Sequence, residues 1–283
     1  MNILLVNDDG IHAPGIQSLY DALINHDGSF AAPFAQRVVT IAPLTVQSAT
    51  GHGVTFRQPL ITHPIKVNDR MSGTAVDGRP ADCVKLALSA LWPDRFGPKS
   101  LPDLVVSGMN MGANVGINVL YSGTCAAALE AAFLGIPSIA VSLHLGRGEA
   151  RYDVAGRHAR QIIESIIGRP NGSTLRSALG AHSCLSINLP ITEADGPAPP
   201  VRFCPMNTHG TIDHFVKNVN PLGETYYWSA GGPLEFHGTE PGSDVQELFA
   251  GHATVTPLLY DLTDRGALER WRHAIQQREA PPS

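Results

Sequence analysis

Short apolar runs alternate with longer, helix-spaced segments through the first 190 residues, and each run stops abruptly at glycine, proline or polar residues. That alternation constrains the fold more than any single motif. Ile3 to Asn7 opens it as an apolar run that turns acidic at its end, the pattern of a parallel strand buried on both faces. Pro14 then begins a helix through Ile16, Leu19, Tyr20 and Leu23, with proline tolerated in the first turn. Val38 to Ala42 is a second strand. Pro80 opens a helix with Val84, Leu86, Ala87, Leu88 and Leu91 on its apolar face, ending before Pro93. Leu104 to Val106 is a strand, Thr124 to Leu134 an alanine-rich helix closed by Gly135, Ser138 to Leu143 a strand and Tyr152 to Ile167 a helix. Short connections between such elements imply right-handed crossovers and a doubly wound, mostly parallel sheet, a Rossmann-like three-layer α/β/α fold. Ligands of such sheets bind outside the carboxyl ends of the strands, so the residues after each strand are where chemistry belongs.

The remainder reads differently. Cys184 to Leu189 adds a strand, and 190–200 is proline-rich and loop-like. From Val201 to Ser243, turn signals (Asn207, Gly210, Asn220-Pro221, Gly223, Gly231-Gly232-Pro233) separate Phe215-Val216 from Tyr226-Tyr227-Trp228, as in hairpins or an extended arm. Ser243-Asp244 caps a short helix, Ala253 to Leu259 is a strand, Leu268 to Ile275 a closing helix and 280–283 a frayed tail. The expectation is a single domain over 1–283: an α/β core with the site over 1–190, an oligomerisation arm over 201–245, and a terminal strand and helix over 246–283.

Composition narrows the partners. With 43% hydrophobic and 16% charged residues the chain can bury a core, and a net charge of −5 argues against general attraction to nucleic acid. It leaves room for a small phosphorylated ligand, because one metal ion can invert the local field. Asn7-Asp8-Asp9 interrupts the first apolar run too early for a signal peptide, and no run reaches the ~18 apolar residues of a membrane span. Four cysteines without C-x-x-C spacing read as small buried hydrophobes in a reducing, cytoplasmic setting.

Four strand-end clusters carry chemical potential. Asp8 and Asp9, adjacent at the end of the first strand, repel each other and need a cation or a shared proton; Mg²⁺ or Mn²⁺ is the natural partner, and an Asx turn is the alternative. Ser107-Gly108-Met109-Asn110-Met111-Gly112-Ala113-Asn114-Val115-Gly116 follows the Leu104–Val106 strand. Its glycines and asparagines suit an anion-binding concavity, with Asn110 as a neutral metal ligand; a flexible surface loop is the alternative. Ser122-Gly123-Thr124 starts a helix, where first-turn N–H groups either are capped or hold phosphate. After the second strand, Ser48 offers a hydroxyl, and His52 is a candidate base or a solvated loop histidine.

Other site types fail on spacing. There is no P-loop G-x-x-x-x-G-K-[ST], no G-x-G-x-x-G after the first strand and no G-x-S-x-G elbow. A receiver domain needs an aspartate where Ser107 stands, and a haloacid-dehalogenase-type phosphatase needs Asp-x-Asp.

Taken together, five segments resemble the SurE survival-protein family of metal-dependent nucleotidases. They are Asn7-Asp8-Asp9-Gly10-Ile11-His12-Ala13-Pro14-Gly15, Pro80-Ala81-Asp82-Cys83-Val84-Lys85, Asp103-Leu104-Val105-Val106-Ser107-Gly108-Met109-Asn110, Tyr121-Ser122-Gly123-Thr124 and Gly135-Ile136-Pro137-Ser138-Ile139-Ala140. The resemblance implies that Asp8, Asp9, Ser48 and Asn110 bind one divalent ion per subunit, with Asp8, Asp9 and Asn110 catalytic. It also implies that nucleoside monophosphates are hydrolysed to nucleoside and phosphate, at the 5′ and also the 3′ position. Ser107, Gly108, Ser122, Gly123 and Thr124 are the candidate phosphate contacts. Family members are dimers or tetramers joined by a hairpin arm, here within 207–244. Rival readings are a phosphatase for polyphosphate or other phosphomonoesters, and a non-catalytic nucleotide- or metal-binding regulator. Two positions depart from the family pattern: Arg79 replaces a small residue before the proline, and Ala49 replaces glycine after Ser48.

Overall fold

A computed structural model describes residues 1–168, 179–232 and 234–279; the frayed tail expected at 280–283 and the turn proline at 233 lie outside them. The first elements are β1 (Asn2–Val6), α1 (Pro14–Ile24), β2 (Arg37–Pro43), β3 (Ile61–Lys66), β4 (Ser72–Asp77) and α2 (Pro80–Leu86). After α3 (Trp92–Phe96) come β5 (Leu104–Met111), α4 (Gly123–Phe133), β6 (Ser138–Leu143), α5 (Tyr152–Ile167) and β7 (Cys184–Leu189). The rest comprises β8 (Val201–Phe203), β9 (Phe215–Val219), β10 (Thr225–Ser229), the helix Asp244–Phe249, β11 (Ala253–Leu258) and the helix Arg265–Glu279.

Among the described residues one nine-stranded sheet runs β3-β4-β2-β1-β5-β6-β7-β11-β8. Its six inner strands, β4 through β7, are all parallel, while β3 and β11 pair antiparallel with β4 and β7. The alternating side chains of β1 explain the sandwich. Ile3 and Leu5 join the core under α1 and α5, and Leu4 and Val6 join the one under α2 and α4. Both sides are dry, so an unbroken apolar run is required there. From β1 the chain moves to β2 on one side, and β5 flanks it on the other. That reversal of strand order opens a crevice at the ends of β1 and β5.

The alanines of α4 let it lie close on the sheet, where Ser138 Oγ donates to the carbonyl of Ala128 at 2.6 Å. Gly135, at φ 81, closes that helix as expected. Three expectations need correction. The α2 helix does not stop before Pro93: a π-helical turn over Ala87–Leu91 leads into α3, whose first turn accommodates Pro93 without losing a donor. The strand at 104 runs on to Met111 past a register shift between Ser107 and Asn110, so half of the presumed glycine loop is strand. Val201–Phe203 is not part of the arm but pairs with β11 in the main sheet. The region 61–77 supplies β3 and β4, whose apolar pattern is broken by Pro64 and Gly73; Pro64 fits because β3 is an edge strand.

The strands β9 and β10 form a separate antiparallel hairpin. Its turn is closed by Asn220, whose side-chain oxygen accepts from the N–H groups of Leu222 and Glu224 at 3.0 and 2.9 Å. Every strand residue of this hairpin is exposed, including Phe215, Tyr227 and Trp228. All four cysteines are buried free thiols. Among the described residues no helix is long and apolar enough to cross a membrane.

Candidate active site

The end of β1 is shaped by Asn7, whose Nδ2 donates to the carbonyl of Gly10 at 2.7 Å and folds the chain into a turn. This is not the Asx turn of the alternative reading, since no N–H reaches Asn7 Oδ1 and the next helix is entered through Ala13 without a side-chain cap. Asp8, only 4% exposed, follows at once. Thr124 Oγ1, in the first turn of α4, donates to its carboxylate. The preceding Gly123 allows this approach, since a Cβ there would lie 2.9 Å from both Cβ and Oδ2 of Asp8. Asp9 is held from the other side, where the Met111 N–H at the end of β5 donates to its Oδ2 at 2.8 Å. Gln47 N–H donates to the backbone carbonyl of Asp8 at 2.7 Å, which draws Ser48 toward the pair. Asn110 ties its amide nitrogen to the carbonyl of Gly112 at 2.7 Å, so its oxygen is the atom left to ligate.

Burial disfavours the charge on both carboxylates. It pushes Asp8 up to about 6, with the charge of Asp9 adding to the effect and the Thr124 hydrogen bond opposing it. Asp9 is also raised by burial, against the Met111 N–H. No lysine or arginine of the described residues offsets either one. Two adjacent carboxylates raised in this way, flanked by a hydroxyl and an amide oxygen, make an all-oxygen donor set suited to a hard divalent cation. The set is completed by neutral oxygens and not by further acids, since no group of three or more His, Cys, Asp or Glu side chains gathers among the described residues.

Asp8, Ser48, Asn110 and Ser122 line a cavity of ≈ 350 Å³, and Asn118, Tyr121, His144, Leu145 and Leu234 are among the other residues of its wall. A larger cavity of ≈ 620 Å³ shares Ser122, but its walls are apolar (Val119, Leu129, Phe133, Met206) and include no carboxylate. The smaller one is therefore where the candidate chemistry converges. The other sequence candidates fall around it unevenly. Gly123 and Thr124 are buried behind Asp8, and Ser122 Oγ accepts from Cys125 N–H at 3.0 Å as a helix cap. Ser107 and Gly108 do not line the cavity. Extension of β5 places them inside the sheet, where a Cβ on Gly108 (φ 134) would lie 2.2 Å from the Val141 carbonyl oxygen. His52 points to Glu130 instead, at 2.7 Å.

Sequence reading missed Asn118, His144, Leu145 and Leu234. The strand-end rule applied to β6 would have found His144 and Leu145, which follow it directly. Leu234 comes from the arm and carries no local signal. Asp244 was read only as part of a helix start, yet its carboxylate accepts from the N–H groups of Gly116 and Asn207, both at 2.8 Å, and so anchors the loop that carries Asn118.

Known proteins resemble the chain over most of its length. The family described as "Survival protein SurE" matches residues 3–211. A protein of Desulforudis audaxviator named 5'-nucleotidase SurE is 38% identical over 270 residues, 95% of each chain. One of Solidesulfovibrio magneticus with the same name is 39% identical over 270 residues, again 95% of each chain. The crystal structure of the SurE protein from Aquifex aeolicus superposes with a TM-score of 0.74 at 30% identity, covering 97% of this chain and 100% of that one. Family profile, relatives and fold concur: the chain belongs to the SurE survival-protein family.

Proposed function

We propose that the chain is a nucleotidase that hydrolyses nucleoside monophosphates, 5′ and also 3′, to nucleoside and inorganic phosphate, using one Mg²⁺ or Mn²⁺ per subunit. The observation that carries this reading is the convergence of Asp8, Ser48 and Asn110 from three strand ends on one cavity, with Asp9 beside them. The names of the relatives support the substrate class. So does the cavity, whose lining combines the oxygen groups of Asp8, Ser48 and Asn110 with Tyr121, His144, Leu145 and Leu234, a mixture suited to a ligand with both an anionic group and a less polar part.

Asp8, Asp9, Ser48 and Asn110 would hold the ion, which when bound polarises a phosphoryl oxygen and eases deprotonation of water. The protein's own groups do the rest. Thr124 and Met111 fix the two carboxylates before substrate arrives, so little reorganisation accompanies reaction. Asp9 is the more accessible carboxylate, with Oδ2 engaged by Met111, and is the group we assign to accept the proton of the attacking water. The phosphate is received at Ser122 and the start of α4, where the helix dipole favours negative charge. Assembly into a dimer or tetramer proceeds through the hairpin β9–β10, whose aromatic faces a second copy would cover. The substrates of this reading comprise neither nucleic acid nor lipid.

Phosphate release from a panel of 5′- and 3′-nucleoside monophosphates, short polyphosphate and sugar phosphates tests the proposal, with Mg²⁺ or Mn²⁺ and with EDTA. Chelator-sensitive release from the nucleotides, exceeding that from the other esters, is expected. No release from any nucleotide sinks it.

A further inference from the structure

Ser48 differs from the other three proposed ligands. It is exposed and stands in the long connection between β2 and β3, where Ala49 (φ 56) and Gly51 (φ 54) adopt left-handed conformations. A serine so placed reaches a fixed point only if the loop is held from outside. Backbone contacts supply part of that hold: Gln47 N–H to Asp8, and Gly51 N–H to the carbonyl of Tyr121 at 3.0 Å. The side-chain anchor is His52. Its Nε2–H donates to Glu130 Oε2 at 2.7 Å, and its ring stacks on Phe133 with centroids 5.0 Å apart and planes 7° from parallel.

Glu130 is an unusual residue to find there. It is 4% exposed, and its other oxygen accepts from Lys85 Nζ of α2 at 3.1 Å. Burial opposes its charge, yet the hydrogen bonds from His52 and Lys85 outweigh burial and keep it below the usual glutamate range. It also belongs to α4, whose first turn carries Thr124, the donor to Asp8. Six residues of helix, about 9 Å at 1.5 Å each, separate the two points. One rigid element thus grips Asp8 at its start and the Ser48 loop further along.

The geometry points to His52 and Glu130 as positioning residues: Glu130, acting through His52, fixes Ser48 relative to Asp8. This rests on the ligand set proposed above. A solvated loop histidine would have neither the buried carboxylate nor the stacked ring. Neither residue touches substrate in this arrangement; each acts through Ser48.

Mn²⁺ binding followed by titration calorimetry, alongside melting without metal, tests the assignment on full-length wild type and the variants Ser48→Ala, His52→Ala, His52→Gln and Glu130→Gln. His52→Ala and Glu130→Gln are each expected to weaken Mn²⁺ binding about tenfold, the usual scale for outer contacts to metal ligands. His52→Gln, which keeps an N–H for Glu130, recovers most of the affinity. The double variant Ser48→Ala/His52→Ala binds no more weakly than Ser48→Ala alone, because the two losses are one. Wild-type affinity in His52→Ala, or losses that add in the double variant, overturns the assignment, as does a fall in melting temperature with affinity unchanged. If wild type binds Mn²⁺ but releases no phosphate, the nucleotidase reading fails while the variants still decide the role of His52. Absence of Mn²⁺ binding in wild type overturns both.

Discussion

The crevice at β1 and β5 and the hairpin β9–β10 depart from the ordinary partition of residues in opposite directions. In the crevice, polar groups are inside: Asp8, Ser107, Thr124 and Asn7 are all nearly or fully buried, and Asp8 sits beside a second acid. In the hairpin, large apolar groups are outside, with Phe215 63% and Trp228 65% exposed. Each arrangement costs the isolated chain free energy, through desolvation in one case and wetted apolar surface in the other. The contrast shows two kinds of functional surface written in opposite chemistry. One asks for positive charge and the other for apolar cover.

The largest expected effect comes from removing charge in the crevice. Asp8→Asn keeps an acceptor for Thr124 but removes the charge of a proposed ligand, and should lower phosphate release by roughly 10³-fold in steady-state assays. The melting temperature should hold or rise, since a buried acid raised by desolvation has been neutralised. A variant that loses activity only by unfolding would remove the contrast.

Next in size is the pH dependence of the fold without metal. The Asp8 carboxyl, raised from 3.8 to about 6, binds its proton more tightly in the folded chain than in the unfolded one. That stability is fully present below about pH 4 and is lost as the pH rises through about 6. Melting curves across this window should therefore decline more steeply for wild type than for Asp8→Asn, and equal slopes would contradict the assignment.

The hairpin is tested by Trp228→Glu, which places charge on its exposed face. Light scattering should report a smaller assembly, while phosphate release falls by far less than in Asp8→Asn. An unchanged mass would mean the apolar face is not an interface between copies. The smallest effect is expected at Ala49. Its φ of 56 is left-handed, so Ala49→Gly should relieve strain of about 1 kcal/mol, partly offset by backbone entropy, and raise the denaturation midpoint slightly.

Much of the core was legible because its signals are local. Ile3–Val6 must be apolar on both faces, and β6, α5 and β7 are bounded by residues that end them. The acids at 8 and 9 stood out by their place at a strand end, where a turn was the alternative reading, and folding leaves Asp8 buried beside Asp9. What escaped depends on distant partners. Ser107 and Gly108 looked like loop residues, but pairing with β6 draws them into the sheet. The strands β3 and β4 lack a clean alternating pattern and form because β2 offers an edge. His144 and Leu234 join the cavity only after folding brings β6 and the arm together.

Asp244 gives this dependence a direction in time. Asp8 follows the first strand, but the loop at Gly116 is tied down by a carboxylate 128 positions further along. A nascent chain can pair β1, β2 and β5 early, as its segments emerge in order. The anchor of the Gly116 loop cannot form until Asp244 has emerged, long after the strands that position Asp8 and Asn110. A chain without Asp244 loses the carboxylate that holds Gly116 and Asn207, and with it the anchor of the loop that carries Asn118.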